Sequence, residues 1–162
     1  MQFDGVEVIS PLHFTEEPWS EPEVLGGMVW LWGLHDYYKQ GSVEAALNIL
    51  KPILRSKRFC FFVANGQPLG YINWSFLSEP DEEAYVKKTR PYEYFLDLRY
   101  PPDIETRLWM LSYFFPAGGN LVVKNILRNH LFKDEDVYLV YHKTPHGSPM
   151  VKKFSGSMVR NK

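Results

Sequence analysis

Only one cysteine, Cys60, occurs in the 162 residues of the chain, so no internal disulfide is available to staple it. Cys60 stands in the apolar run Phe59-Cys60-Phe61-Phe62-Val63. No reactive partner pattern surrounds it, which predicts a buried small hydrophobe. An excess of one charge is missing too: 18 Lys and Arg face 19 Asp and Glu, a formal net charge of −1. That balance excludes an obviously basic nucleic-acid-binding domain. Long charge runs are absent, which excludes a disordered solubility tail. No apolar run approaches the roughly 20 residues needed to span a bilayer, and the start MQFDGVEVIS has neither the basic region nor the apolar stretch of a signal peptide. A reducing, cytoplasmic setting is the expectation. Gly-x-Ser-x-Gly elbow, Walker loop, Cys-x-x-Cys pair and kinase motifs are all missing, so hydrolase, nucleoside triphosphatase and redox functions have no residue support.

What the chain does have is apolar and aromatic: 45% and 16% of its residues. At about 150 residues per domain, its length predicts one domain over residues 1–162, able to bury about 70% of its unfolded surface. Residues 1–21 carry Pro11 and Pro18 among scattered aromatics and read as an irregular or short-strand arm. Residues 21–35 follow at helical spacing. Gly26 and Gly27 weaken that helix by roughly 1 kcal/mol each and suggest a close approach by another backbone. Ser42 is a natural N-cap for the clearest helix, residues 43–54, whose Val43, Ala46, Leu47, Leu50, Ile53 and Leu54 make one apolar stripe. Pro52 lies within it.

Two strand-like runs, residues 58–64 and 69–77, flank Asn65-Gly66, a strong hairpin signal. Residues 78–89 read as an exposed loop or short helix, and residues 90–100 as a further strand. Residues 108–115 suit a central strand covered on both faces. After Pro116-Ala117-Gly118-Gly119-Asn120 comes a helix with Val123, Ile126, Leu127, His130 and Leu131 facing inward. Strands at 137–141 and 150–159 flank a turn at 144–149.

Two places are suited to chemistry. The glycine turn opens a helix, where free N–H groups and the helix dipole favour a phosphate or an oxyanion; a tight turn with no ligand is the alternative. Of the histidines, His13, His35, His130, His142 and His146 lack the close His/Glu spacing of a helical zinc motif, so no metal is expected. His130 reads as partly buried, and His142 and His146 as facing water. His35 closes the helix of Trp30-Leu31-Trp32 and precedes Asp36. A neutral imidazole there suits a general base; a helix C-terminal histidine interacting with the dipole is the plainer reading.

The stretch VLGGMVWLWGLHDYYKQGSVEAALNILKPILRSKRFCFFVANGQPLGYINWSFLS resembles the RTX toxin-activating lysine acyltransferases, the haemolysin-activating type. Leu25-Gly26 with Trp30-Leu31-Trp32, the second helix, the hairpin and Gly70-Tyr71-Ile72-Asn73-Trp74 carry the resemblance, and residues 109–120 extend it to the family's central strand and turn. It covers residues 23–80 closely and 105–160 loosely. It implies an acetyltransferase-like (GNAT-like) α/β fold, with a mixed, mostly antiparallel central sheet flanked by helices. It also implies transfer of a fatty acyl group from acyl carrier protein to lysines of a target protein, no tightly bound cofactor, and frequent homodimers.

The family's chemistry rests on a His and an Asp, and by ungapped counting these positions hold Tyr38 and Ser112. The reading that follows from the resemblance is a divergent site, with His35 as base and Ser112 and Tyr38 lining the cleft. Trp30, Trp32 and Trp74 would wall an acyl-chain pocket, and Gly118, Gly119 and Asn120 would cradle the thioester oxygen or the carrier's phosphate. Asp36 or Asp97 would stand in for the missing carboxylate. The alternative is a catalytically silent relative, phage- or mobile-element-borne, that binds a host protein or small ligand. A third reading is an enzyme that uses acyl-CoA as donor.

Overall fold

In the computed structural model, which describes residues 1–141 and 147–159, the chain opens with a tight hairpin. β1 (Gln2–Phe3) and β2 (Val6–Ile9) meet across Asp4 and Gly5, whose φ angles of 50° and 80° are the positive pair that a two-residue hairpin turn requires. α1 (Glu21–Gly33) starts at Ser20, whose hydroxyl accepts from the Glu23 amide. It buries Val24, Met28, Leu31 and Trp32. A 3-10 turn (Tyr38–Gln40) leads to α2 (Val43–Ser56). Ser42 caps α2 by accepting from the Ala45 amide at 3.0 Å, and Ala46, Leu50, Ile53 and Leu54 form its buried stripe. The helix runs past Pro52 and ends at Lys57 in the left-handed conformation.

β3 (Phe59–Ala64) and β4 (Gln67–Leu77) form the expected hairpin over Asn65 and Gly66, both at positive φ. α3 (Glu79–Val86) follows. The strand expected at residues 90–100 is instead a 3-10 turn (Tyr92–Phe95). There only Phe95 of the aromatics is buried, packing on Tyr85 at 5.2 Å, while the Tyr94 and Tyr100 hydroxyls donate to Asp81. Such anchoring to one helix replaces a ladder of strand hydrogen bonds.

β5 (Arg107–Phe114), α4 (Asn120–Ile126) and a π-turn (Leu127–Leu131) come next, then β6 (Asp136–Tyr141) and β7 (Met150–Ser155). His130, expected to face inward, is exposed. The Phe132 amide reaches back to the Leu127 carbonyl at 2.8 Å, an i→i+5 bond that adds a residue to the turn and shifts the side-chain phase. His142, His146 and the first half of the turn at 144–149 lie outside the described residues.

Among the described residues seven strands follow chain order in one sheet, β1 to β7. The pairings β1–β2, β2–β3, β3–β4 and β6–β7 are antiparallel, and β5–β6 is parallel. The parallel pair needs a crossover, which α4 and the π-turn supply. The architecture is the expected mixed α/β one with a mostly antiparallel sheet. Among the described residues no helix is long and apolar enough to cross a membrane.

Two compact units divide the chain: residues 1–73 with 112–126, and residues 74–111 with those from 127 on. In the first, α1 lies against β3. A Cβ at Gly27 would sit 2.4 Å from the Phe61 ring, so that glycine admits a side-chain ring, not the backbone anticipated, while Gly26 meets nothing within 4 Å. Cys60 is fully buried beside Ser10, and loss of solvent pushes its thiol up to about 12. In the second unit, buried Glu82 accepts from Arg107 Nε at 2.6 Å, from Arg107 Nη2, and from Trp109 Nε1 at 2.8 Å.

Candidate functional site

α1 ends by tightening. The Leu34 amide donates to Leu31 and the His35 amide to Trp32, each at 3.1 Å. His35 therefore stands just past the helix, half-buried. Its ring centre lies 5.0 Å from Tyr38 and 5.5 Å from Phe114. Tyr38 in turn lies 4.5 Å from Trp32 and 5.5 Å from Phe114. Trp32 Nε1 donates to the Tyr71 hydroxyl at 2.9 Å, and Tyr71 packs on Phe114 at 5.4 Å. Trp32, His35, Tyr38, Tyr71 and Phe114 thus form one ring cluster inside the first unit. One of these pairs, Tyr38 and Phe114, meets edge-on at 81°, a geometry that adds about 1 kcal/mol beyond buried area; the others are tilted by 32–49°.

The cluster brings together three of the residues expected from sequence, Trp32, His35 and Tyr38. Ser112 lies two residues before Phe114 on β5, on the same face of the strand, and is half-buried. Tyr71 and Phe114 were not anticipated as site residues. The signal for Phe114 was its two-residue spacing from Ser112; for Tyr71 it was the bare alternation of β4.

The His35 Nδ1 accepts from the Tyr37 amide at 3.3 Å. Neither carboxylate expected to orient the imidazole does so by a hydrogen bond among the described residues. Asp36 is fully exposed and paired with Lys39 at 2.6 Å, which holds its carboxyl below the usual range. Asp97 pairs with Arg99 at 3.6 Å. Trp30, expected to wall a pocket, is 46% exposed because α1 buries the neighbouring Leu31 and Trp32. Trp74 belongs to the second unit, where its ring meets Phe132 edge-on at 5.3 Å.

Gly118 and Gly119 have φ angles of 95° and 89°, which only glycine adopts freely. A Cβ on Gly119 would also press to 2.9 Å of Leu69. The turn sets Asn120 as the first residue of α4, and the Val123 amide donates back to the Gly119 carbonyl at 3.3 Å. Among the described residues no three His, Cys, Asp or Glu gather into a metal-ligating group. In the second unit a cavity of about 410 Å³ is lined by Leu77, Ser78, Glu79, Glu82, Ile104 and Arg107, among others.

Comparison with known proteins places residues 17–155 in register with the RTX toxin acyltransferase family. Similar proteins include an RTX-II toxin-activating lysine-acyltransferase of Actinobacillus pleuropneumoniae, 26% identical over 65% of this chain and 62% of its own. A leukotoxin-activating lysine-acyltransferase of Mannheimia haemolytica is 28% identical over 66% of this chain and 62% of its own. A protein-lysine myristoyltransferase of Escherichia coli is 25% identical over 70% of this chain and 63% of its own. The matched part of the chain thus spans under two thirds of the length of these relatives.

Proposed function

Because the chain belongs to the RTX toxin acyltransferase family, we propose that it transfers a fatty acyl group from a thioester on acyl carrier protein to lysine side chains of a protein acceptor. The names of its relatives, lysine-acyltransferases and a lysine myristoyltransferase, support the acceptor chemistry. The observation that carries the reading is His35, a half-buried imidazole packed beside Tyr38 and Phe114 just past the end of the aromatic helix. Its imidazole can offer an N–H hydrogen bond to the reacting thioester. Trp32 and Tyr38 give apolar surface to the acyl chain, Ser112 lines the same strand face, and the Gly119 and Asn120 amides hold the carrier's phosphate or the thioester oxygen, the Gly118 amide being taken by the Phe115 carbonyl at 3.2 Å.

The test is incubation with labelled acyl–acyl carrier protein, or acyl-CoA, and a lysine-containing protein. Wild type should transfer label and His35→Ala should lose most of the rate. No turnover in either defeats the enzymatic reading.

One observation favours a second reading, a silent binding module. By the ungapped count from Trp30-Leu31-Trp32 the family's histidine falls on Tyr38, and the Tyr38 ring is packed on Trp32, His35 and Phe114. Recovery of one stoichiometric host protein, equally by wild type and His35→Ala, would support it.

A further inference from the structure

A neutral imidazole has one N–H and one bare nitrogen, and the partner of one nitrogen decides the state of the other. At His35 that partner is the Tyr37 amide, which donates to Nδ1 at 3.3 Å. Nδ1 is therefore the bare nitrogen and Nε2 carries the proton. The opposite tautomer would set Nδ1–H against the Tyr37 N–H, two donors with no acceptor between them, which loses the bond and strands a donor.

Two rings pack against the imidazole. Tyr38 lies 5.0 Å and Phe114 5.5 Å from it, with ring planes at 48° and 49° to the imidazole. The backbone is pinned as well: the His35 amide donates to Trp32 and the His35 carbonyl accepts from Lys39 at 2.9 Å.

We infer that His35 works as a hydrogen-bond donor through Nε2–H, and that the Tyr37 amide is the positioning group that sets this tautomer. The assignment rests on the acyl-transfer reading of the site and gives His35 a role other than that of general base. The neutral ε-amine of the acceptor lysine attacks the thioester carbon. The N–C bond forms as the carbonyl π pair moves onto oxygen, where Nε2–H donates to the developing charge. When the carbonyl re-forms, the C–S bond breaks and its electron pair leaves with sulfur. The sulfur takes the surplus proton from nitrogen, so the products are an amide and a free thiol. His35 keeps its own proton throughout.

The tautomer is read directly by 15N NMR of histidine-labelled resting protein, with His35 assigned by its loss in His35→Gln. Wild type and Tyr37→Ala, which retains the amide, should show Nε2 protonated. Tyr37→Pro removes the donor at a φ of −77° that proline accepts, and should show a mixture of tautomers. Kinetics supply the second arm. Glutamine can donate a hydrogen bond but not serve as a base, so His35→Gln should stay within about tenfold of wild type while His35→Ala falls by about 10²–10³-fold, the loss typical of one oxyanion donor. Protonation at Nδ1, or His35→Gln as slow as His35→Ala, overturns the inference. An Nε2-protonated His35 in a protein with no turnover leaves the tautomer supported and defeats the acyl-transfer reading.

Discussion

The ring of Phe114 lies 5.5 Å from the imidazole of His35, with the two planes at 49°. One residue ends β5 and the other follows α1, so their meeting depends on how helix and strand pack. Phe114 also touches Tyr38 and Tyr71, which makes it the hub of the ring cluster.

Replacing Phe114 by leucine keeps an apolar side chain but removes the flat wall beside His35. Misplacement by about 1 Å can cost 10²-fold in rate, so kcat in the acyl-transfer assay should fall between tenfold and a hundredfold with KM for the carrier little changed. A rise in KM alone would show that Phe114 serves binding and not the placement of His35.

The adjacent glycines of α1 should answer alanine with opposite signs. Gly26 faces open space, so Gly26→Ala should raise stability by about 0.5–1 kcal/mol through helix propensity. Gly27→Ala drives a methyl group into Phe61, which is 4% exposed, and overpacking of that kind costs about 1–3 kcal/mol. Urea unfolding of both variants decides the matter.

Glu82 is 6% exposed and accepts from both Arg107 and Trp109. Glu82→Ala leaves the buried Trp109 N–H without its carboxylate acceptor and Arg107 without its ion-pair partner, with the Tyr138 ring still 4.8 Å from its guanidinium. Arg107 is half exposed, so water recovers part of the loss. A destabilisation of about 2–4 kcal/mol is expected in denaturant titration, and Glu82→Gln, which keeps a carbonyl oxygen, should lose less.

Asp81 supplies a pH signature. Burial alone would push its carboxyl up, but hydrogen bonds from Tyr100 at 2.5 Å, Ser78 at 2.9 Å and Tyr94 at 3.0 Å outweigh it and hold the group below its ordinary 3.8. A depressed carboxyl stabilises the fold above the ordinary value and loses that contribution as pH falls through the folded value. Thermal melts should therefore show wild type more stable than Asp81→Asn at pH 7, with the gap closing below about pH 4.

The sequence alone determined the elements whose signals are local. The apolar stripe of α2 with its Ser42 cap, the start of α1 near Glu21 and the Asn65-Gly66 hairpin are each decided within a few residues, by side-chain period or by a turn that needs positive φ. The resemblance carried by the Trp30-Leu31-Trp32 helix and the Tyr71 strand was legible for the same reason. It named the family and, through it, the mixed and mostly antiparallel sheet. Contacts between distant residues were left to the tertiary structure. Trp32 reaches Tyr71 across 39 residues, and which ring it meets depends on how α1 packs over the β3–β4 register. Strand register and helix packing likewise placed Phe114 beside His35, put Arg107 and Trp109 on Glu82, and made residues 92–95 a turn instead of a strand. They also gave His35 its local partner, the Tyr37 amide, because the chain leaves α1 by a tightened turn that no residue spacing announces.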